Sequence, residues 1–150
     1  MKKDKEFTAY CGLYCGDCIP SNQPLFNVAE KLREQLDEIQ FEKYAELRSK
    51  KNEEFNNYQI FRKVLSALIE LRCPKTCINN GGNPNCMIRG CVRKKGIEGC
   101  WKCPDFEDCE LLEPLSIAHG DTSKFNLRLI KKHCVENWAD KRGKHYIGSK

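Results

Sequence analysis

Residues 86–109 read C-M-I-R-G-C-V-R-K-K-G-I-E-G-C-W-K-C-P-D-F-E-D-C. Five cysteines, Cys86, Cys91, Cys100, Cys103 and Cys109, fall within this one stretch. Cys100-Trp-Lys-Cys103 has the C-x2-C spacing that lets a single turn of backbone present two sulfurs to one ion. Working outward, C-P-K-T-C places Cys73 and Cys77 just upstream, and C-G-L-Y-C-G-D-C places Cys11, Cys15 and Cys18 near the start. Ten of eleven cysteines therefore lie in tight local groups. Thiols grouped this way either staple a chain with disulfides or fold it around metal.

Length and composition favour metal. A chain of 150 residues can bury a real core and reads as one domain over 1–150. It does not need disulfides to rescue a tiny fold. The opening Met-Lys-Lys-Asp-Lys-Glu-Phe is charged and is followed by no apolar h-region, and no run is long and apolar enough to span a membrane. The expectation is a cytoplasmic location, where thiols stay reduced and clustered cysteines ligate metal more often than they pair. An odd count of eleven also fits full pairing badly. The formal charge of +5 points toward nucleic acid only until the thiolates are counted. Eight thiolates holding two divalent ions would leave the chain near about +1.

The rest of the pattern is helical. After a polar lead-in, residues 11–24 form a cysteine-rich loop. Phe26, Ala29, Leu32, Leu36, Ile39 and Leu47 recur at helical spacing, predicting a helix over about 25–49. Phe55, Tyr58, Phe61, Leu65, Leu68 and Ile69 predict a second over about 54–71, stopped by Cys73-Pro74. Within the cysteine-rich segment 73–110, a short helix over 87–95 ends at Gly96. Phe125, Leu127, Ile130, Cys134 and Trp138 predict a last helix over about 123–140, with Cys134 in its core. The polar end, residues 141–150, is expected to fray. The fold class is mainly α, a small helical protein with cysteine-rich loops and little or no β-sheet.

The candidate metal ligands are Cys11, Cys15, Cys18, Cys73, Cys77, Cys86, Cys91, Cys100, Cys103 and Cys109. Proximity suggests one site using Cys11, Cys15 and Cys18 with Cys73 or Cys77, and a second drawing four from the 86–109 group. Saturated thiolate sites are structural rather than catalytic, so the reading is two zinc ions in a binding or adaptor module. Its partner would be a protein or a small molecule. An iron–sulfur cluster or dithiol redox centre could use the same cysteines. Cys11-x3-Cys15-x2-Cys18 also has the radical S-adenosylmethionine spacing. Such enzymes need a large α/β barrel, however, and here Asp17 stands where an aromatic residue is usual. A third reading takes the basic segment 89–102, with Arg89, Arg93, Lys94, Lys95 and Lys102 beside Trp101, as a nucleic-acid contact. The competing account is that these cations offset thiolate charge. His119-Gly-Asp121 reads as a turn with a helix cap rather than a catalytic pair, and His133 as a surface or half-buried residue rather than a ligand.

These motifs together, with N-L-R-L-I-K-K-H-C-V-E-N-W near the end, resemble the domain of unknown function 3795 family over about residues 10–138. The resemblance implies a small prokaryotic zinc-binding protein with the ten grouped cysteines as ligands, and it implies no activity. Many relatives carry a cysteine where this chain has Asn83, and a glycine where it has Cys134.

Overall fold

The structure, a computed structural model, describes residues 2–143. Among them are seven α-helices and a set of 3-10 turns, with no strand beyond an isolated antiparallel bridge between Thr8 and Tyr14. The protein is mainly α. The chain divides into two compact units, Asn22–Arg72 and the flanking Met1–Ser21 with Cys73–Lys150.

The flanking unit carries the cysteines. It contains α1 (Lys2–Phe7), α5 (Met87–Lys95), α6 (Ser116–His119) and α7 (Thr122–His133). Its core joins residues far apart in sequence: Trp138 and Leu127 are fully buried, with Ile130, Val92, Phe106 and Trp101 packed in the same cluster. The segment 8–14 is a tight loop closed by Ala9 N–H donating to the Leu13 carbonyl (2.8 Å). Helix α7 holds it in place. Ser123 Oγ donates to the Cys11 carbonyl (2.7 Å) and Asn126 Nδ2 to the Gly12 carbonyl (2.9 Å). Gly12 sits at φ 83°, and a Cβ there would meet Leu127 Cγ at 2.8 Å. Only glycine combines that backbone with so close an approach.

The intervening unit contains α2 (Gln23–Glu38), α3 (Phe41–Ser49) and α4 (Tyr58–Glu70). Its core is small: Phe26, Ala29, Ala45, Leu65 and Ile69. Arg72 donates to Gln23, Asn27 and Glu30, and Arg62 pairs with Asp37. The end of α4 thus lies beside the start of α2, so the two helices are antiparallel.

The structure corrects several expectations. The helix expected over 25–49 is broken. Asn22 caps α2, which stops at Glu38, and Gln40 adopts a left-handed conformation (φ 51°) before α3 begins. That turn shifts the helical phase, and Ile39 and Leu47 are exposed rather than core. The second helix is α4, entered through a 3-10 turn over Glu53–Asn57, and its Phe61 is partly exposed. The short helix over 87–95 forms as expected and ends at Gly96 (φ 63°). The last helix stops at His133, seven residues early. The fraying expected at the C-terminus falls, for residues 144–150, outside the described residues, as does His145.

The helix ends at Cys134, which is exposed rather than core. Its backbone has φ 66° and ψ 154°, a region that side chains other than glycine enter only with strain. Replacing Cys134 by glycine should therefore stabilise the protein. Strain relief of roughly 1–3 kcal/mol exceeds the unfolded-state entropy that glycine adds, for a net gain of about 1 kcal/mol. Denaturant unfolding of the variant checks this, and its metal content should be unchanged.

Candidate metal centre

All eleven cysteines lie within the described residues, and none forms a disulfide. Both C-x2-C pairs are built on the same local turn. Cys15–Asp17 and Cys100–Lys102 are 3-10 turns, in which Cys18 N–H donates to the Cys15 carbonyl (3.1 Å) and Cys103 N–H to the Cys100 carbonyl (3.0 Å). A one-turn loop of this kind puts both sulfurs on the same side. A 3-10 turn over Phe106–Asp108 then delivers Cys109.

Four thiols of the 86–109 stretch, Cys91, Cys100, Cys103 and Cys109, line one cavity of ≈20 Å³ walled by Ile88, Val92 and Phe106. Burial pushes the Cys100 thiol up to about 12, and the neighbouring thiols of Cys109, Cys103, Cys91 and Cys86 add to the push. Lys95 Nζ lies 3.3 Å from Cys103 Sγ, and this contact raises the lysine's own affinity for its proton.

A second gathering combines the N-terminal loop with the Cys73 loop. Burial lifts Cys15 to about 11, and the thiols bearing on it are Cys77, Cys18 and Cys73. Cys77 N–H donates to Cys15 Sγ (3.4 Å), tying the two segments together. Cys73 N–H donates to the Pro20 carbonyl (2.8 Å), and Gly82 N–H donates to Cys73 Sγ (3.0 Å). Backbone N–H groups aimed at sulfur stabilise thiolates and orient them as ligands. The loop that supplies Gly82 is close-packed, since a Cβ on Gly81 would sit 1.8 Å from the Lys75 carbonyl oxygen.

Cys11 and Cys86 stand between the two gatherings. Cys11 is buried and pushed up to about 12, chiefly by that burial, with Cys77, Cys100 and Cys86 as its thiol neighbours. Cys86 caps α5, its sulfur accepting from Arg89 N–H at 3.5 Å. The thiols are neighbours, but they do not close on a point. Among the described residues no three His, Cys, Asp or Glu side chains form a group placed to hold a metal ion.

Arg89 has a role that its sequence context concealed. It is buried, and its Nη2 donates to the carbonyls of Gly81 and Asn83 and approaches Cys77 Sγ at 3.9 Å. A cation planted there braces the 81–83 loop and lies beside a thiol. The nucleic-acid reading of 89–102 loses its central members as a result. Arg89 is committed to backbone carbonyls and Trp101 is buried, so neither presents itself to phosphate or base. Arg93, Lys94, Lys95 and Lys102 remain exposed, Arg93 bonding Asn80 and Lys95 contacting Cys103. His119 ends α6 ahead of Gly120 (φ 55°), which makes His119-Gly-Asp121 a turn, and burial lowers the histidine's proton affinity.

Fold and site together define a small cysteine-rich helical protein with no helix, among the described residues, long and apolar enough to cross a membrane. The family described as Protein of unknown function (DUF3795) matches residues 7–114, and the chain belongs to it. No curated protein and no solved structure matches this chain.

Proposed function

We propose that this is a cytoplasmic zinc-binding protein whose two thiolate sites are structural, serving as a binding or adaptor module for a protein or small-molecule partner. The observation that carries the reading is the shared cavity of Cys91, Cys100, Cys103 and Cys109, four soft donors around one small space. Cys15, Cys18, Cys73 and Cys77 supply the same donor set a second time, from two loops cross-linked by an N–H···S bond. Four thiolates per ion leave no open position for substrate, which favours structure over catalysis. Lys95 beside Cys103 and Arg89 beside Cys77 offset part of the negative charge that such sites carry.

The test is elemental analysis with a visible spectrum on protein purified without air or added metal. About two zinc per chain and no colour are expected from two closed tetrahedral sites. Iron with sulfide and broad absorbance would replace this reading with the iron–sulfur alternative. A pH dependence follows from the same chemistry. Thiols held at about 11 (Cys15) and about 12 (Cys100) are protonated at neutral pH, so an ion must displace their protons. Zinc uptake by the stripped protein should release protons, and affinity should fall about tenfold per unit of falling pH for each proton displaced. Titration in weak buffers at two pH values measures both.

A further inference from the structure

We propose that the apolar face of the α2–α4 hairpin is a self-association surface and that its occupant is the same face of a second copy of this chain. On α2, Leu25, Val28, Leu32 and Leu36 recur at i, i+3, i+7 and i+11, and on α4 and its C-cap, Phe61, Val64, Leu68 and Leu71 recur at i, i+3, i+7 and i+10, Leu36 and Leu68 also packing against the core of the unit. In an antiparallel pair these stripes fall on one side of the hairpin. The hairpin's other side is occupied by its ion pairs, Arg62 with Asp37 and Arg72 with Glu30. The stripes themselves contain no charged side chain, although Val28 is 68% exposed, Leu71 61%, Val64 60% and Leu32 43%.

Two features select a second copy over a different partner. The first is size. With Ile39 and Ile60 included, the exposed apolar side chains of this face amount to roughly 800 Å², about one partner's share of a standard interface and more than a monomer usually leaves uncovered. The second is shape. One end of the face exposes Val28 and Leu71. The other end is hollow, a groove of ≈340 Å³ lined by Leu32, Leu36, Phe41, Phe55, Tyr58 and Phe61, with Glu54 and Asn57 also in its lining. A two-fold axis crossing the middle of the hairpin sets the exposed Val28 and Leu71 of each copy against the hollow of the other, the self-complementarity that an isologous interface requires. The product is a four-helix bundle, two helices from each copy.

The inference is independent of the metal reading, because every residue in it lies in the unit Asn22–Arg72. It is tested by analytical ultracentrifugation over a wide range of concentration, at fixed metal content. The expected result is a species of twice the 17.4 kDa chain mass that dissociates on dilution. Val28→Glu on α2 and Val64→Glu on α4 should each raise the dissociation constant at least about a hundredfold, since each places a carboxylate in the desolvated interface. Both side chains are exposed, so far-ultraviolet circular dichroism of the variants should match the parent. A concentration-independent 17.4 kDa species would overturn the proposal, and so would a dimer that neither substitution weakens.

Discussion

Replacing Cys103 by serine is expected to remove about one zinc per chain and to destabilise the cysteine-bearing unit severely. Cys103 shares the cavity of Cys91, Cys100 and Cys109, and it takes a contact from Lys95. Serine is nearly isosteric, so packing changes little. What changes is the donor, because a hydroxyl is a poor ligand for zinc at neutral pH and a thiolate a good one. Where a site forms only in the folded state, metal-binding free energy is part of folding free energy, on the order of 10 kcal/mol for structural zinc sites. Losing one of four ligands forfeits a large share of it. Two controls separate the metal from the packing. Chelator added to the parent should lower its melting temperature toward that of the variant. Chelator added to the variant should release about one further equivalent, from the other site. A variant with unchanged zinc content and unchanged melting would remove Cys103 from the ligand set. Intact zinc with a lowered melting temperature would assign it to packing alone.

The parts of this architecture that were legible in the sequence are those set by short-range rules. The C-x2-C turns follow from spacing alone, since only a tight turn brings residues i and i+3 together that way. Gly96 stops α5 because a left-handed residue ends a helix and glycine enters that region without strain. The features that escaped are set by contacts between distant segments. Gln40 is not a helix breaker, and nothing local announces its left-handed turn between α2 and α3. Cys134 follows Leu127 and Ile130 at the spacing of a continuing helix, so periodicity placed it in the core. The chain instead leaves the helix there, and Trp138 is buried by a turn that carries it back to the core. Arg89 looked like a surface cation because its partners, the carbonyls of Gly81 and Asn83, are backbone groups with no sequence signature. The candidate ligands were visible as residue types. Which thiols are neighbours was not, because Cys15 and Cys77 meet across the whole intervening helical unit in sequence.

Trp138 is where this long-range packing can be measured. Its side chain is fully buried, its indole N–H donates to Thr8 Oγ1 (2.9 Å), and Tyr14 meets its ring edge-on with centroids 5.8 Å apart. Thr8 Oγ1 in turn donates to the Asp4 carbonyl, so the indole closes a chain of bonds reaching back to α1. Thr8 and Tyr14 are the two ends of the loop that presents Cys11. Replacing Trp138 by alanine should cost about 3–5 kcal/mol, the transfer and cavity cost of deleting a fully buried aromatic ring. Trp138→Phe keeps most of the volume and loses the N–H, and should cost about 1–2 kcal/mol. The measurement is specific to the cysteine-bearing unit, because both tryptophans of the chain, Trp101 and Trp138, lie in it. Fluorescence of the remaining Trp101 therefore reports the unfolding of that unit, while circular dichroism also follows the helices of Asn22–Arg72. A shift below about 1 kcal/mol for Trp138→Ala would mean that the ring is not fixed in the core. A full-sized shift accompanied by weaker zinc retention would show that the packing of residues 8–14 is what holds the first cysteine loop in register with the second, so that core and metal centre are stabilised as one structure.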